Sequence, residues 1–117
     1  MSAIETYEQL SQLESVRPAV WLDWSRIYYD QGDYKRALSV IDRGLSETPD
    51  ESTYLYRKAV YLLAYGRYKE AMAFLEHALI LNYDGHAEVY VFFEDLTTQK
   101  ALFKIIDQYR KDDQQVD

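Results

Sequence analysis

The sequence predicts an all-α fold, a stack of antiparallel helix pairs closed by an atypical last helix. Three observations predict it: a stretch that recurs after 34 residues, apolar residues spaced three and four apart, and small residues where helices would cross. The stretches DYKRALSVIDRGL (33–45) and RYKEAMAFLEHAL (67–79) show the recurrence. A period of this length is typical of stacked two-helix units, which bury their apolar faces only against neighbouring units.

The first full repeat, residues 18–51, is predicted as two helices joined by a tight turn. Pro18 suits a first helical turn, because the N–H that proline lacks would have no partner there. Gly32 interrupts the helical pattern, and Asp33 is the expected N-cap of the second helix, which Pro49 terminates.

The second repeat, residues 52–85, follows the same plan with its turn at Gly66. The same offset also aligns the amino-terminal segment with the returning helix of the first repeat. Residues 3–15 are therefore predicted as the second helix of a partial repeat. With this helix included, residues 1–117 are expected to form a single helical-repeat domain.

Small residues recur at positions where the helices of a pair would cross. They are Ser25, Ala37 and Gly44 in the first repeat, and Ala59, Ala71 and Ala78 in the second. Small side chains let two helices approach closely while larger neighbours fill the space beside them.

Residues 86–111 are predicted as a degenerate repeat and cap. Their first helix is expected to carry the apolar stripe Val89, Tyr90, Phe92, Phe93 and Leu96. The 34-residue step then fails, because it puts Lys100 where the turn glycine belongs. A second stripe predicts a closing helix over 99–111, with Thr97 or Thr98 as its N-cap. Terminal repeats are commonly atypical, since one face meets water instead of a neighbour.

The pattern W-x-x-W-S-x-x-Y, G-D-Y-x-x-A, G-L and P in residues 18–51 resembles the tetratricopeptide repeat, and residues 52–85 keep most of it. The resemblance implies a right-handed superhelix of helix pairs. It also implies that the first helix of each pair lines a concave groove that usually binds a peptide or a helix of a partner.

If the first helices are placed as in that family, a set of residues faces the groove and is expected to bind a peptide: Leu22, Arg26, Tyr29, Tyr56, Arg57, Val60, Leu63, Tyr90 and Glu94. Leu22, Tyr56 and Tyr90 occupy equivalent positions and would form one stripe. Arg26 and Arg57 would orient an acidic ligand. The competing expectation is that the closing helix 99–111 occupies this stripe itself.

Composition and motifs exclude several classes of function. The net charge of −7 disfavours nucleic acid as a partner, and no apolar run approaches the length of a membrane span. The chain contains no cysteine and no catalytic or phosphate-binding motif, so no enzyme activity, catalytic residue, cofactor or metal is expected. A cytoplasmic location is expected, because there is no secretory signal and a chain without cysteine is compatible with a reducing compartment.

The leading interpretation is a protein–protein interaction module, part of a larger protein, whose groove binds an apolar peptide or partner helix. The alternative is a structural or self-association segment of a longer solenoid with no groove ligand. A homodimer through the amino-terminal helix would support this alternative, because the apolar face bearing Tyr7 and Leu10 would need a partner.

Overall fold

The computed structural model of the protein describes residues 18–114. Over this range the chain forms six α-helices and one 3₁₀ turn, with no strand: α1 Pro18–Asp30, α2 Tyr34–Glu47, α3 Ser52–Ala64, α4 Tyr68–Leu81, the 3₁₀ turn Tyr83–His86, α5 Ala87–Tyr90 and α6 Leu96–Gln114. The predicted all-α fold is confirmed. The helix predicted over 3–15 lies outside the described residues.

The two regular repeats match helix for helix. The pairs α1–α2 and α3–α4 have equal lengths, and each pair is joined by a turn with a glycine in the left-handed region, Gly32 at φ 78° and Gly66 at φ 86°. A side chain with a Cβ is disfavoured at such a backbone angle, so both turns require glycine. Asp33 caps α2 as expected, because its Oδ1 accepts a hydrogen bond of 3.2 Å from the Arg36 N–H.

The small residues lie where the helices approach one another. Ala37, Ala59 and Ala71 are all fully buried. At Gly44 a Cβ would stand 3.2 Å from the rings of Trp21 in α1 and Tyr54 in α3. This glycine therefore lets α2 pack between the two neighbouring helices, as its place in the pattern predicts.

The third unit departs from the expected helices. Its first helix, α5, ends at Tyr90, and residues 91–95 form a turn where the stripe predicted a continuing helix. The last helix begins at Leu96, and its N-cap is Asp95 instead of Thr97 or Thr98. The Asp95 Oδ2 atom accepts a 2.8 Å hydrogen bond from the Thr98 N–H. Hydrogen bonds from Thr98 lower the pKa of the Asp95 carboxyl, because they favour its charged form.

The last helix closes the described part of the stack. It contacts α4 and the 3₁₀ turn, and it buries Leu102 and Ile106 in the core. The adjoining side of the helix is exposed at Leu96 and Phe103. The extents of the repeats within residues 1–117 stay a prediction, whereas the helices of 18–85 follow the predicted 34-residue step.

Candidate partner-binding surface

The first helices of the three successive units, α1, α3 and α5, contact one another in chain order. A polar network joins them. The Ser25 Oγ and Tyr61 Oη atoms share a hydrogen bond of 2.7 Å. Arg57 donates through Nη1 to Tyr61 Oη and to the Leu22 carbonyl oxygen, and through Nη2 to Glu88 Oε1 at 2.8 Å. Arg57 thus links all three first helices with one side chain.

The network holds a buried positive charge beside a neutral tyrosine. Burial raises the pKa of the Tyr61 hydroxyl, although Arg57 opposes the rise. Burial alone would lower the pKa of Arg57, but Tyr61 and Glu88 outweigh it, so the net shift is upward. Arg57 therefore stays charged, and its buried guanidinium requires the partners that surround it.

The ring of Phe92 lies against the side of α1 and α3 that carries this network, which we call the first-helix face. Four side chains surround the ring there. The guanidinium carbons of Arg26 and Arg57 each stand 4.8 Å from the ring centroid. Tyr29 meets the ring edge to face at 5.4 Å between centroids, and Tyr61 does so at 6.5 Å. Arginine over a ring and edge-to-face aromatic pairs are both attractive arrangements. We call Arg26, Tyr29, Arg57 and Tyr61 the aromatic cradle.

A cleft of about 530 Å³ opens beside the Phe92 ring. It is bounded by α1 on one side and by the turn 91–95 on the other. Arg26 is its one cationic side chain among the described residues, whereas Asp30, Glu94 and Asp95 supply three carboxylates. The Arg26 Nε and Asp30 Oδ1 atoms lie 3.8 Å apart, and both side chains are exposed. The cleft therefore combines aromatic walls with an acidic rim.

A family model described as the tetratricopeptide repeat matches residues 22–85, more than half of the chain. The chain belongs to the tetratricopeptide repeat family. Repeats of this family are non-catalytic and generally mediate protein–protein interactions. No curated protein matches the chain. The family match ends before the turn 91–95, so the part of the cleft that this turn forms lies outside the matched tetratricopeptide repeats.

The residues predicted to face the groove of these tetratricopeptide repeats differ in exposure. Arg26 and Glu94 are exposed; Leu22, Tyr29, Leu63 and Tyr90 are half-buried; and Tyr56, Arg57 and Val60 are buried. The cleft brings together Arg26, Tyr29 and Glu94. Tyr90 lies apart from them, beside α6. The peptide-binding role of the whole set stays a prediction.

Tyr56 does not extend an exposed stripe from Leu22 to Tyr90. Its side chain is 1% exposed, and its hydroxyl donates to the Asn82 carbonyl oxygen. The 3₁₀ turn packs so closely against it that a Cβ at Gly85 would stand 2.9 Å from the Tyr56 ring. The 34-residue step puts Tyr56 in register with Leu22, but the 3₁₀ turn at the end of the second repeat covers it.

Phe92 and Tyr61 are contact residues that the sequence pattern did not assign to this face. Phe92 belonged to the stripe of a continuing helix, and the early end of α5 turns it onto the first-helix face instead. The available signal was Glu94-Asp95 immediately before an apolar helical pattern, because an aspartate there favours a new helix start. The turn before α6 covers the part of this face around Tyr29 and Tyr61, whereas α6 itself lies beside Tyr90.

The described residues contain no group of three or more metal-binding side chains. Among the helices of residues 18–114, none has both the length and the apolar character needed to cross a bilayer.

Proposed function

We propose that this chain is a protein-interaction module that binds a partner segment in the cleft beside Phe92. The observation that carries the proposal is the position of the Phe92 ring in the aromatic cradle. It gives the cleft an aromatic floor in a part of the chain where α1 and the turn 91–95 converge. A volume of about 530 Å³ suits one or two partner side chains.

The charges of the cleft favour a segment that carries lysine or arginine next to an apolar side chain. Three carboxylates surround the cleft, and Arg26 faces one of them, Asp30. Arg57 is bonded to Glu88 and buried, so it offers little to a ligand. We therefore propose a cationic ligand instead of the acidic ligand that Arg26 and Arg57 suggested in the sequence.

The experiment is a selection of random peptides displayed on phage against the wild-type chain. We expect enriched peptides to combine an aromatic or aliphatic residue with lysine or arginine. Their binding should weaken about fivefold in Glu94→Lys, because an exposed charge contact is replaced by repulsion. Glu76→Lys, which makes the same charge change at an exposed residue that does not line the cleft, serves as the control and should bind normally.

A second variant tests the aromatic wall. Tyr29→Ala should weaken the same peptides by about 1–2 kcal/mol, because tyrosine offers a large and stiff contact surface. A thermal melt checks that the fold is intact. Enrichment of acidic peptides, or binding indifferent to both Glu94→Lys and Tyr29→Ala, would contradict the proposal.

A further inference from the structure

The outward face of α6 forms a second groove that the proposed function does not use. Leu96, Lys100, Phe103 and Lys104 share one side of the helix, and the ring of Tyr90 adjoins them. The space they bound measures about 750 Å³. Leu96 is 63% exposed and Phe103 is 56% exposed. We call this surface the α6 groove.

The α6 groove carries positive charge on a strongly acidic protein. Within the described part of the chain, neither Lys100 nor Lys104 forms an ion pair with a carboxylate. The protein as a whole has a net charge of −7, and the cleft beside Phe92 has three carboxylates. A partner that prefers one of these two surfaces should therefore avoid the other.

The spacing of the groove residues matches one face of a second helix. Leu96 and Phe103 lie two turns apart, about 10 Å along the α6 axis, and the two lysines lie one turn apart. A helix laid against this face would present side chains at the same intervals. Its apolar residues would cover Leu96 and Phe103, and carboxylates one turn apart would reach the lysines.

We propose that the α6 groove binds an amphipathic helix of another protein, one with an aliphatic stripe flanked by glutamate or aspartate. Burial of the exposed leucine and phenylalanine supplies affinity, and the two lysines select the acidic partner. This surface adjoins the side of α6 that packs in the core. Leu102 and Ile106 are already buried there, so binding at the exposed Leu96 and Phe103 needs no rearrangement of them.

The test uses a fluorescently labelled synthetic helix with leucine on one face and glutamate on its flanks. A twin peptide has lysine in place of every glutamate. We expect the glutamate peptide to bind wild type more tightly than its twin. Lys100→Glu with Lys104→Glu should weaken the glutamate peptide by about tenfold and strengthen its twin.

The matched control is Lys35→Glu with Lys69→Glu, which changes net charge by the same amount at exposed sites elsewhere. It should alter binding by no more than about twofold. Phe103→Ser should also weaken the glutamate peptide without lowering the melting temperature, since the side chain is exposed.

Several outcomes would overturn the proposal. Equal weakening by the control pair would assign the binding to overall charge. A dimer in sedimentation that Phe103→Ser dissociates would make a second copy of this chain the occupant. Binding to anionic phospholipid vesicles, with neither peptide bound, would make the groove a membrane contact.

Discussion

The first helices of the two regular repeats contain 13 residues each, whereas the first helix of the third unit contains four. In the regular repeats this length buries Trp21 and Tyr61 between neighbouring helices. In the third unit α5 is short, and the turn 91–95 that follows it folds back over the first-helix face. Both candidate surfaces include residues of the third unit. The regular repeats thus form the packed scaffold, and the irregular third unit contributes residues to both candidate surfaces.

The largest expected effect lies in the scaffold. Ala71 is fully buried where α3 and α4 cross, so Ala71→Leu should overpack the crossing and lower the free energy of unfolding by about 1–3 kcal/mol. Ala73→Leu, an exposed change on the same helix, is the control. Urea unfolding measures both. Equal stability of the two variants would show that α3 and α4 do not cross at Ala71.

A smaller effect is expected where the third unit meets the repeats. Phe92→Ala should lower the free energy of unfolding by about 1–2 kcal/mol, because its half-buried ring contacts two arginines and two tyrosines. Val91→Ala, at the exposed neighbouring residue, should cost much less.

A double-mutant cycle can separate the contact from general destabilisation. Combining Phe92→Ala with Tyr29→Ala should reveal a coupling energy of about 0.5–1.5 kcal/mol, as for other aromatic pairs. Additive effects would place Phe92 away from Tyr29, and the turn 91–95 would then not cover the first-helix face.

The smallest effect concerns the cap of α6 and depends on pH. The pKa of Asp95 is lowered from its ordinary value of 3.8 by its hydrogen bonds from Thr98. Its contribution to stability is therefore fully present above pH 3.8 and is lost as pH falls through the folded-state pKa. Asp95→Asn keeps a capping side chain that does not titrate. Below pH 3.8, the melting temperature of wild type should fall relative to that of the variant, and parallel curves would contradict Asp95 as the cap.

Most of the scaffold could be predicted from the sequence, because local features determine it. Gly32 and Gly66 have backbone angles that only glycine adopts readily, and Ala37 and Ala71 recur at helix crossings. A single 34-residue step relates both pairs. Such constraints act within or between adjacent helices, where periodicity records them directly.

The candidate surface could be predicted only in part. Arg26 and Tyr29 line the cleft as the helical spacing of α1 predicts, whereas Glu94 reaches it from the turn 91–95. The peptide-binding role of these residues stays a prediction. The burial of Tyr56 depends on the 3₁₀ turn Tyr83–His86, and the position of Phe92 depends on where α5 ends. Apolar spacing across residues 86–96 is compatible with one longer helix, and the cap at Asp95 competes with that pattern. The spacing of apolar residues does not show which of the two patterns prevails, and it does not predict the contacts of Phe92 with arginines distant in sequence.

The central claim is that the third unit turns back at residues 91–95 and places Phe92 on the first-helix face. Nuclear Overhauser spectroscopy of the chain labelled at its aromatic rings tests it most directly. The structure predicts cross-peaks from the Phe92 ring to the rings of Tyr29 and Tyr61, at the centroid separations of 5.4 Å and 6.5 Å. The absence of these cross-peaks, together with helical cross-peaks running unbroken from Val89 to Leu96, would contradict it.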